Sequence, residues 1–438
     1  MEFKQYPSYK KSGVEWLGGV PEHWVGSKFK YIFQEKQHTK NMNLPFGAIS
    51  FGSVVYKEDK ANLTDELKEN YQEVLQGEFL VNPLNLNYDL KSLRTALSKI
   101  DVVVSSGYFV LKLKNNTFNK RYLEYLLYIF DIRKMKTLGA GIRQTLTFRD
   151  MAVCDVAIPS ACEQTQIASF LDYETFRIDN LIAKQEKLIE LLEEQRKSII
   201  SHAVTKGLNP NAPMKDSGVE WLGDVPEHWT VLKNRHIFNF SKGLSITKEN
   251  LQESGIPCVS YGEVHSKFGF EFNPEINDMK FVSEEYLKTS KNCLLNSGDF
   301  IFADTSEDFE GSGNFSYLNS NSQVFAGYHT VIARLKSKQK PRFFAYIFDS
   351  NAHRKQIQTQ VKGIKVFSIT QGILKDIYSW LPPVHEQDLI VEYLDNECKK
   401  ISLLKAKQIE LIEKLKEYRS SIISHAVTGK IDVREFGA

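Results

Sequence analysis

The sequence repeats itself over most of its length, and this duplication limits the folds that are open to it. Residues 12–24 read SGVEWLGGVPEHW, and residues 217–229 repeat twelve of these thirteen letters at an offset of 205. A second matching pair, residues 159–205 and 382–428, has an offset of 223. Because this period is far too long for a solenoid repeat, it predicts a duplicated domain in which a constant frame surrounds a divergent middle.

The constant segment that ends each copy has the pattern of a long helix. One face is formed by residues spaced alternately three and four apart, which is the a/d pattern of a coiled coil. These residues are Ile178, Leu181, Gln185, Leu188, Leu192, Gln195 and Ile199 in the first copy, and Ile401, Leu404, Gln408, Leu411, Leu415, Tyr418 and Ile422 in the second. We expect the two helices to pair within the chain, with glutamines helping to fix the register. Packing on their own modules, or pairing between chains, is the alternative.

The divergent middles have the patterns of mixed α and β structure. Short runs rich in Val, Ile, Phe and Tyr predict strands at 78–81, 102–105, 108–112, 299–303 and 330–335, and helical spacing predicts helices at 121–136 and 343–357. The predicted fold class is α+β, with two α/β-type globular modules, two long helices and a pseudo-two-fold internal repeat. The modules are placed at 1–157 and 208–381, the helical segments at 158–207 and 382–430, and a C-terminal tail at 431–438.

Several kinds of chemistry have no support in the sequence. It contains neither a GxxxxGK[ST] phosphate loop nor an NPPY-type methyltransferase motif, and the glycines at 139–141 come after a predicted helix. Five scattered cysteines without a CxxC motif argue against a disulfide scaffold or zinc ribbon and favour a reducing cytoplasm. The matched histidines His202 and His425 fall in a last helical turn, where interaction with the helix dipole is preferred to a metal site. We therefore expect a cytoplasmic chain with no catalytic residues, no metal and neither a secretory signal nor a membrane span.

The net charge is only +2, so binding to nucleic acid would have to come from local patches. Two basic stretches without acidic residues, 132–149 and 350–367, lie at matching positions after a YIFD sequence, and each contains a glycine turn. Arginine can bind guanine and glutamine can bind adenine through two hydrogen bonds, so these stretches predict DNA contacts. The predicted contact residues are Arg133, Lys136, Arg143, Gln144 and Thr145, and Arg354, Lys355, Lys362 and Lys365. The alternative, solvated basic loops, is disfavoured by the recurrence.

The repeated frame itself could be interpreted as an aromatic platform for stacking bases. A frame that is nearly identical in two modules with divergent middles cannot, however, read two different sequences. We therefore predict that its tryptophans anchor the N-terminal segment of each module. They are Trp16 and Trp24 in the first module, and Trp221 and Trp229 in the second.

Together these segments resemble the specificity subunits of type I restriction–modification systems. The resemblance rests on the SGVEWLGxVPEHW frames, the joins IPSACEQTQIASFLD and LPPVHEQDLIVEYLD, and the endings RKSIISHAVTKG and RSSIISHAVTGK, which frame nearly the whole chain. In that family each variable module is a target recognition domain that reads one half of a split, asymmetric DNA sequence. Antiparallel constant helices space the modules and dock two methyltransferase subunits, and restriction subunits join that core.

The resemblance implies a DNA-binding chain that is not itself catalytic and holds no cofactor. S-adenosylmethionine would belong to the methyltransferase subunits, and ATP and magnesium to the restriction subunits. Base-contacting residues are not transferred by the resemblance, because the middles diverge. Two modules joined by antiparallel helices acquire a pseudo-two-fold axis and face DNA in opposite senses, as its strands require. A coiled-coil scaffold that binds only proteins, or an enzyme with an unrecognised cofactor site, stays open as an alternative.

Overall fold

Each of the two units of the chain contains one module and half of each of two long helices. The computed structural model describes residues 3–57, 69–84, 93–138, 145–363 and 366–436. The first unit is formed by Met1–Glu186 and Ile409–Ala438, and the second by Lys187–Gln408. The duplicated sequence therefore corresponds to two units with the same plan.

The long helices extend over Ala161–Lys206 and Val384–Val427. Each begins directly after a proline-containing turn and ends before a glycine with positive φ, Gly207 at 73° and Gly429 at 68°. Glycine adopts this left-handed conformation without the steric penalty of a Cβ, and it commonly ends helices for that reason. Among the described residues, no helix has a stretch both long and apolar enough to cross a membrane.

The long helices pack antiparallel within the units. In the first unit Asp179 pairs with Arg419, with 2.8 Å between Oδ1 and Nε. Gln166, nearer the start of the first helix, donates to the carbonyl of Arg434 beyond the end of the second helix, at 3.0 Å. In the second unit Glu193 pairs with Lys405. The intramolecular antiparallel pair is therefore present.

The predicted seam is correct at some positions and wrong at others. Ile178, Leu192, Ile401 and Ile422 are buried, and Leu181, Gln185, Ile199, Gln408 and Leu415 are half-buried. By contrast, the side chains of five predicted seam residues are exposed: Leu188, Gln195, Leu404, Leu411 and Tyr418.

The difference between the predicted period of 3.5 residues and the 3.6-residue period of a straight α-helix explains these errors. The positions directly after the exposed leucines, namely Ile189, Lys405 and Ile412, are half-buried or buried instead. Counting in steps of 3.6 residues from Ile178 or Ile401 passes closest to these positions, because an α-helix that does not supercoil drifts by about 20° per heptad from a 3.5-residue repeat. The helices therefore bury a face of period 3.6.

The first module is built mainly from antiparallel strands. Its four-stranded sheet has the order Phe33–Glu35, Phe109–Leu113, Phe79–Val81 and Thr95–Leu97. Among the described residues, two-stranded pairs are formed by Tyr9–Lys11 with Gly19–Pro21, Val25–Lys28 with Asp155–Ile158, Gly47–Ser50 with Ser53–Tyr56, and Tyr71–Val74 with Val102–Ser105. The α-helices in the described part of this module are Phe29–Ile32, Lys120–Arg133 and Phe148–Ala152.

The second module has larger sheets with mixed strand directions. One has the order Phe238–Lys242, Thr330–Leu335, Phe300–Ala303, Phe315–Leu318 and Glu271–Phe272, and the other Lys280–Val282, Ile256–Val259, Val324–Ala326 and Leu294–Leu295. The two-stranded pairs are Met214–Asp216 with Asp224–Pro226, Thr230–Lys233 with Tyr378–Leu381, and Thr305–Ser306 with Phe367–Ser368. The α-helices are Asn234–Ile237, Tyr261–Glu263, Tyr286–Thr289, Pro341–Asp349, Asn351–Gln358 and Gln371–Asp376.

All five strands predicted from the sequence are confirmed within one residue at each end. The predicted helix at 343–357 is instead two helices, which separate at Ser350. Ser350 has extended backbone angles, with φ −73° and ψ 148°, and the next residue is Asn351. Asp, Ser and Asn side chains compete for backbone hydrogen bonds and favour helix ends, which explains the break.

Candidate nucleic-acid interface

The repeated frame is bound to the first turn of the long helices. In the first unit, Trp24 Nε1 donates to the carboxylate of Glu163 at 3.0 Å, and His23 Nε2 lies 2.8 Å from the other carboxylate oxygen. The matching Trp–His pair of the second unit makes the same contacts with Glu386, at 3.1 and 2.8 Å. Both of these tryptophans are fully buried, so for them the predicted anchoring role is confirmed.

The earlier tryptophan of each frame behaves differently in the two units. Trp16 is buried against Phe130, with 5.4 Å between the ring centroids. Its counterpart Trp221 is 45% exposed, so the anchoring prediction is wrong for that residue. The phenylalanine that matches Phe130 is Phe348, and it packs among rings of its own module, including Phe300 at 5.0 Å. In the second module this ring packs inside the divergent core, so it does not bury Trp221 as Phe130 buries Trp16.

A second carboxylate in each long helix holds the central helix of its module. Asp172 accepts from Arg121 Nε at 3.1 Å and from the Tyr125 hydroxyl at 2.8 Å. Asp395 accepts from Arg342 Nε at 2.7 Å and from the matching tyrosine at 2.5 Å. Burial raises the pKa of Tyr125 to about 12, so its hydroxyl keeps the proton that it donates. The sequence did not predict these contacts, although Asp172 and Asp395 are the last residues of the two matching joins, IPSACEQTQIASFLD and LPPVHEQDLIVEYLD.

The first predicted DNA contact, Arg133, has internal partners. Its guanidinium donates to the backbone carbonyl of Trp16 at 3.1 Å and to the hydroxyl of Ser424 at 2.6 Å. It therefore links the repeated frame to the second long helix within the first unit. Its predicted contact with DNA stays a prediction, and the structure adds a role in holding the frame.

The other predicted contacts of the first module come shortly after Arg133 in the chain. Lys136 belongs to a short 3₁₀ turn, and Thr145 is exposed. Arg143 and Gln144 lie outside the residues that the structure describes. DNA contacts by these four residues stay predictions.

In the second module, Arg354 points into the protein rather than away from it. Its side chain is 23% exposed, its Nη1 donates to Asn314 Oδ1 at 2.9 Å, and its Nη2 lies 3.8 Å from Asp349. Burial lowers the pKa of this arginine. A direct contact between Arg354 and DNA stays a prediction, but the guanidinium has a clear structural partner in Asn314.

The lysines of the second basic stretch differ from Arg354 in their exposure. Lys355 and Lys362 are both exposed, while Lys365 lies outside the described residues. The next described residue, Val366, lines a cleft of about 470 Å³ in the surface of the second module. The basic stretch therefore contributes Val366 to a concave surface.

Four separated segments contribute to this cleft, which we call the recognition cleft. Among its lining residues are Tyr261, His265, Glu307, Asp308, Asn314 and His329. A chain of hydrogen bonds lies beneath it: Asn314, held by Arg354, donates to His265 Nδ1 at 2.9 Å, and His265 Nε2 donates to the Thr305 carbonyl at 2.7 Å. A carbonyl can only accept, so this chain fixes the proton on His265 Nε2 and the orientation of the Asn314 amide.

His329 stands at the opening of the recognition cleft in an unfavourable backbone conformation. Its φ is 53°, in the left-handed region that bulky residues avoid, and its side chain is 57% exposed. The Nδ1 atom lies 3.1 Å from an Asp304 carboxylate oxygen, and the ring packs against Tyr261 with centroids 5.5 Å apart. Local strain of this kind is concentrated at functional sites.

Both histidines expected at the helix ends are exposed. His425 lies in the last turn of its helix, as predicted, whereas the last turn of the first helix begins after His202. Within the part of the chain that the structure describes, no group of three His, Cys, Asp or Glu side chains is arranged to hold a metal ion.

Comparison with known proteins defines the class of chain to which this fold and surface belong. A family model, Type I restriction modification DNA specificity domain, matches residues 22–194 and 226–414. These two matches cover most of the sequence, so the chain belongs to this family and carries two such domains in tandem. Membership favours DNA specificity over a scaffold that binds only proteins.

Individual relatives cover nearly the whole chain. The type I restriction enzyme MjaVIII specificity subunit of Methanocaldococcus jannaschii is 26% identical over 440 residues, which is 97% of both chains. A chain from a study of assembly and conformational transition of a type I R-M system has a TM-score of 0.67 at 15% identity, covering 93% of this chain and 98% of that chain. The HsdS subunit of Thermoanaerobacter tengcongensis has a TM-score of 0.53 at 15% identity, covering 94% and 98%. These structural similarities establish the shared fold.

Proposed function

We propose that this chain is the non-catalytic specificity subunit of a type I restriction–modification complex. Each module reads one half of a bipartite, asymmetric DNA target, and the helices set the distance between the halves. The observation that carries this proposal is the pair of modules held to their helices through matching contacts, at Glu163 and Glu386, while their middles differ. Two modules that recognise different DNA sequences independently need the same attachment to the helices but different surfaces toward the DNA.

Exposed apolar side chains on the long helices support docking of partner subunits. They are Tyr173, Phe176, Leu188, Leu191, Leu389, Tyr393, Leu403, Leu404, Ile409, Leu411 and Tyr418. A solvated helix face carries mostly charged residues, whereas exposed apolar residues three or four apart, such as Leu188 and Leu191 or Leu389 and Tyr393, share one face of a helix and can form a surface that binds another protein. We assign these surfaces to two methyltransferase subunits, which would bring S-adenosylmethionine. Restriction subunits would bring ATP and magnesium, and assembly would take place in the cytoplasm.

The function is tested by mapping methylated adenines in a host that expresses the methyltransferase subunit with or without this chain. We expect a split motif that appears only when the chain is present. Replacing residues 30–150 with the same region of a relative should change one half of the motif and leave the other half intact. A change in both halves, or in neither, would contradict independent reading.

Docking of the methyltransferase subunits has its own test. Replacing Phe176 and Leu403 by serine should weaken co-purification with these subunits, because both side chains are more than half exposed on the helices. Replacing Lys184 and Lys407, exposed residues of the same helices, serves as the control and should have no effect. Undiminished co-purification of the Phe176 and Leu403 variant would assign docking to another surface.

The role of the helices as a spacer can be tested by insertion. Four residues inserted near Ala183 lengthen the first helix by about 6 Å and rotate its downstream part by about 40°. If all of the length reaches the DNA, the unread spacer grows by roughly two base pairs. A two-residue insertion rotates the helix by about 200°, so it should disrupt assembly instead. An unchanged spacer in an active four-residue variant would show that the helices do not set it.

A further inference from the structure

We propose that the recognition cleft of the second module reads major-groove base edges that carry an exocyclic amino group, those of adenine or cytosine, in the half-site of that module. This inference rests on the proposed function and names the groups that would perform it. Glu307, Asp308 and His329 are the contacting residues, while Arg354, Asn314 and His265 are positioning residues. The cleft lies wholly within the second unit, in the divergent middle.

The charges of the cleft select bases over phosphates. Glu307 and Asp308 line it, both are exposed, and Asp304 lies behind His329. Carboxylates repel the phosphate backbone but accept hydrogen bonds from the amino groups of cytosine and adenine in the major groove. Lys355 and Lys362, which are exposed on the basic stretch leading to the cleft, are suited to the flanking phosphates.

The hydrogen-bond chain under the cleft makes its floor rigid. Both ring nitrogens of His265 have protein partners, and Asn314 uses its carbonyl for Arg354 and one amide hydrogen for His265. These two contacts hold both ends of the Asn314 side-chain amide. A reader needs such fixed donors and acceptors, because a mismatched base is rejected only when the protein groups cannot rearrange to satisfy it.

The rim of the cleft adds an apolar and an aromatic component. Val366 lines the cleft and is 54% exposed. Phe309, the residue after Asp308, is 42% exposed and packs against Phe367 with ring centroids 5.7 Å apart. Apolar side chains of this kind contact the thymine methyl group, which neighbours the adenine amino group in an A·T pair. His329 is held in its left-handed conformation at the same opening. Donor, acceptor and apolar groups therefore converge on one concave surface.

The test measures methylation by the complete complex on duplexes that carry each possible base at every position of the second half-site. The variants are Glu307→Gln, which keeps the shape and removes the charge, and His329→Asn, which removes the ring but tolerates a left-handed backbone. Glu249→Gln is the control, because Glu249 is an exposed carboxylate of the same module that does not line the cleft. Unfolding curves check that each variant is folded.

We expect each cleft variant to lose roughly 10- to 100-fold of discrimination at one position of the second half-site, with discrimination in the first half-site unchanged. The control should retain discrimination in both halves. If the parent complex is sequence-specific and both cleft variants keep full discrimination, the cleft inference is overturned while the proposed function stands. A uniform loss of methylation on all duplexes, shared with Glu249→Gln, also overturns it. Absence of sequence-specific methylation by the parent complex would instead contradict the proposed function.

Discussion

The tetrapeptide YIFD occurs in both modules, and its aspartate makes different contacts in each. In the first module Asp131 pairs with Arg94 of the same module, at 3.2 Å. In the second module Asp349 pairs with Arg196 of the first long helix, also at 3.2 Å. By contrast, Glu163 and Glu386, the matching carboxylates in the first turn of the long helices, contact the same residue types in both units. A repeated residue therefore makes equal contacts in the two units only where its partner is repeated as well.

The largest effect on the free energy of unfolding should come from replacing the buried tryptophan of either frame. Trp24→Ala and Trp229→Ala each remove a fully buried indole, at an expected cost of about 3–5 kcal/mol. Because each tryptophan donates to the matching glutamate, the two costs should be similar. Denaturant unfolding of each variant, with Trp221→Ala as the exposed control, measures this. A large difference between the two buried sites would show that the frames are not equivalent.

Frames and middles also differ in how far the sequence predicts them. The strands at Val102–Ser105 and Thr330–Leu335 were predictable because runs of β-branched residues mark buried strands. The helix seam was misplaced at Leu188-Ile189 and Leu411-Ile412, where two adjacent apolar residues make either one eligible for burial. A spacing rule cannot choose between them until the packing of the helix sets its period.

The recognition cleft could not be predicted from a local pattern. It combines the turn at residues 261–268, the loop at 304–314, the end of a loop at 328–329 and the basic stretch after 350. Sheet pairing brings these segments together, and no period in the sequence connects them. Only the basic stretch carried a signal, and it indicated the region while leaving the residues that line it unidentified.

A second difference between the modules should appear on acidification. His353 is fully buried in the second module, and burial lowers its pKa to about 3. The unfolded chain takes up this proton near the ordinary value of 6.5, so stability is full above pH 6.5 and is lost as the pH falls toward 3. The loss is up to about 1.4 kcal/mol per pH unit. His353→Gln should flatten the pH dependence of unfolding over this range of pH; an unchanged slope would contradict this origin.

A smaller effect is expected from replacing Arg133 and Arg354, the matched arginines of the two basic stretches, which should differ in whether they change the methylated sequence. Arg133→Ala removes hydrogen bonds to Trp16 and Ser424, which should lower stability by about 1–2 kcal/mol and leave the methylated sequence unchanged. Arg354→Ala releases Asn314 and should relax the second half-site as well. Unfolding and methylation mapping on both variants decide the matter. Relaxation of the first half-site by Arg133→Ala would support the predicted contact of that residue with DNA.

The smallest effect concerns strain in the first module. Phe51 has φ 46° at the tip of the hairpin formed by Gly47–Ser50 and Ser53–Tyr56, and its side chain is 94% exposed. Asparagine and glycine adopt this conformation more easily, so Phe51→Asn and Phe51→Gly should stabilise the protein by about 0.5–1 kcal/mol. Stability is measured by denaturant unfolding.

The DNA affinity of the complex is measured on the same variants, with Tyr56→Asn as the control for loss of an exposed aromatic ring. Higher stability with unchanged affinity would mean that the strain at Phe51 has no role in DNA binding. Phe51 would then differ from His329, the strained residue that we assign to DNA contact in the second module. Higher stability with weaker binding would place the hairpin tip at the DNA, where an exposed ring in a strained turn has a use that stability alone does not explain.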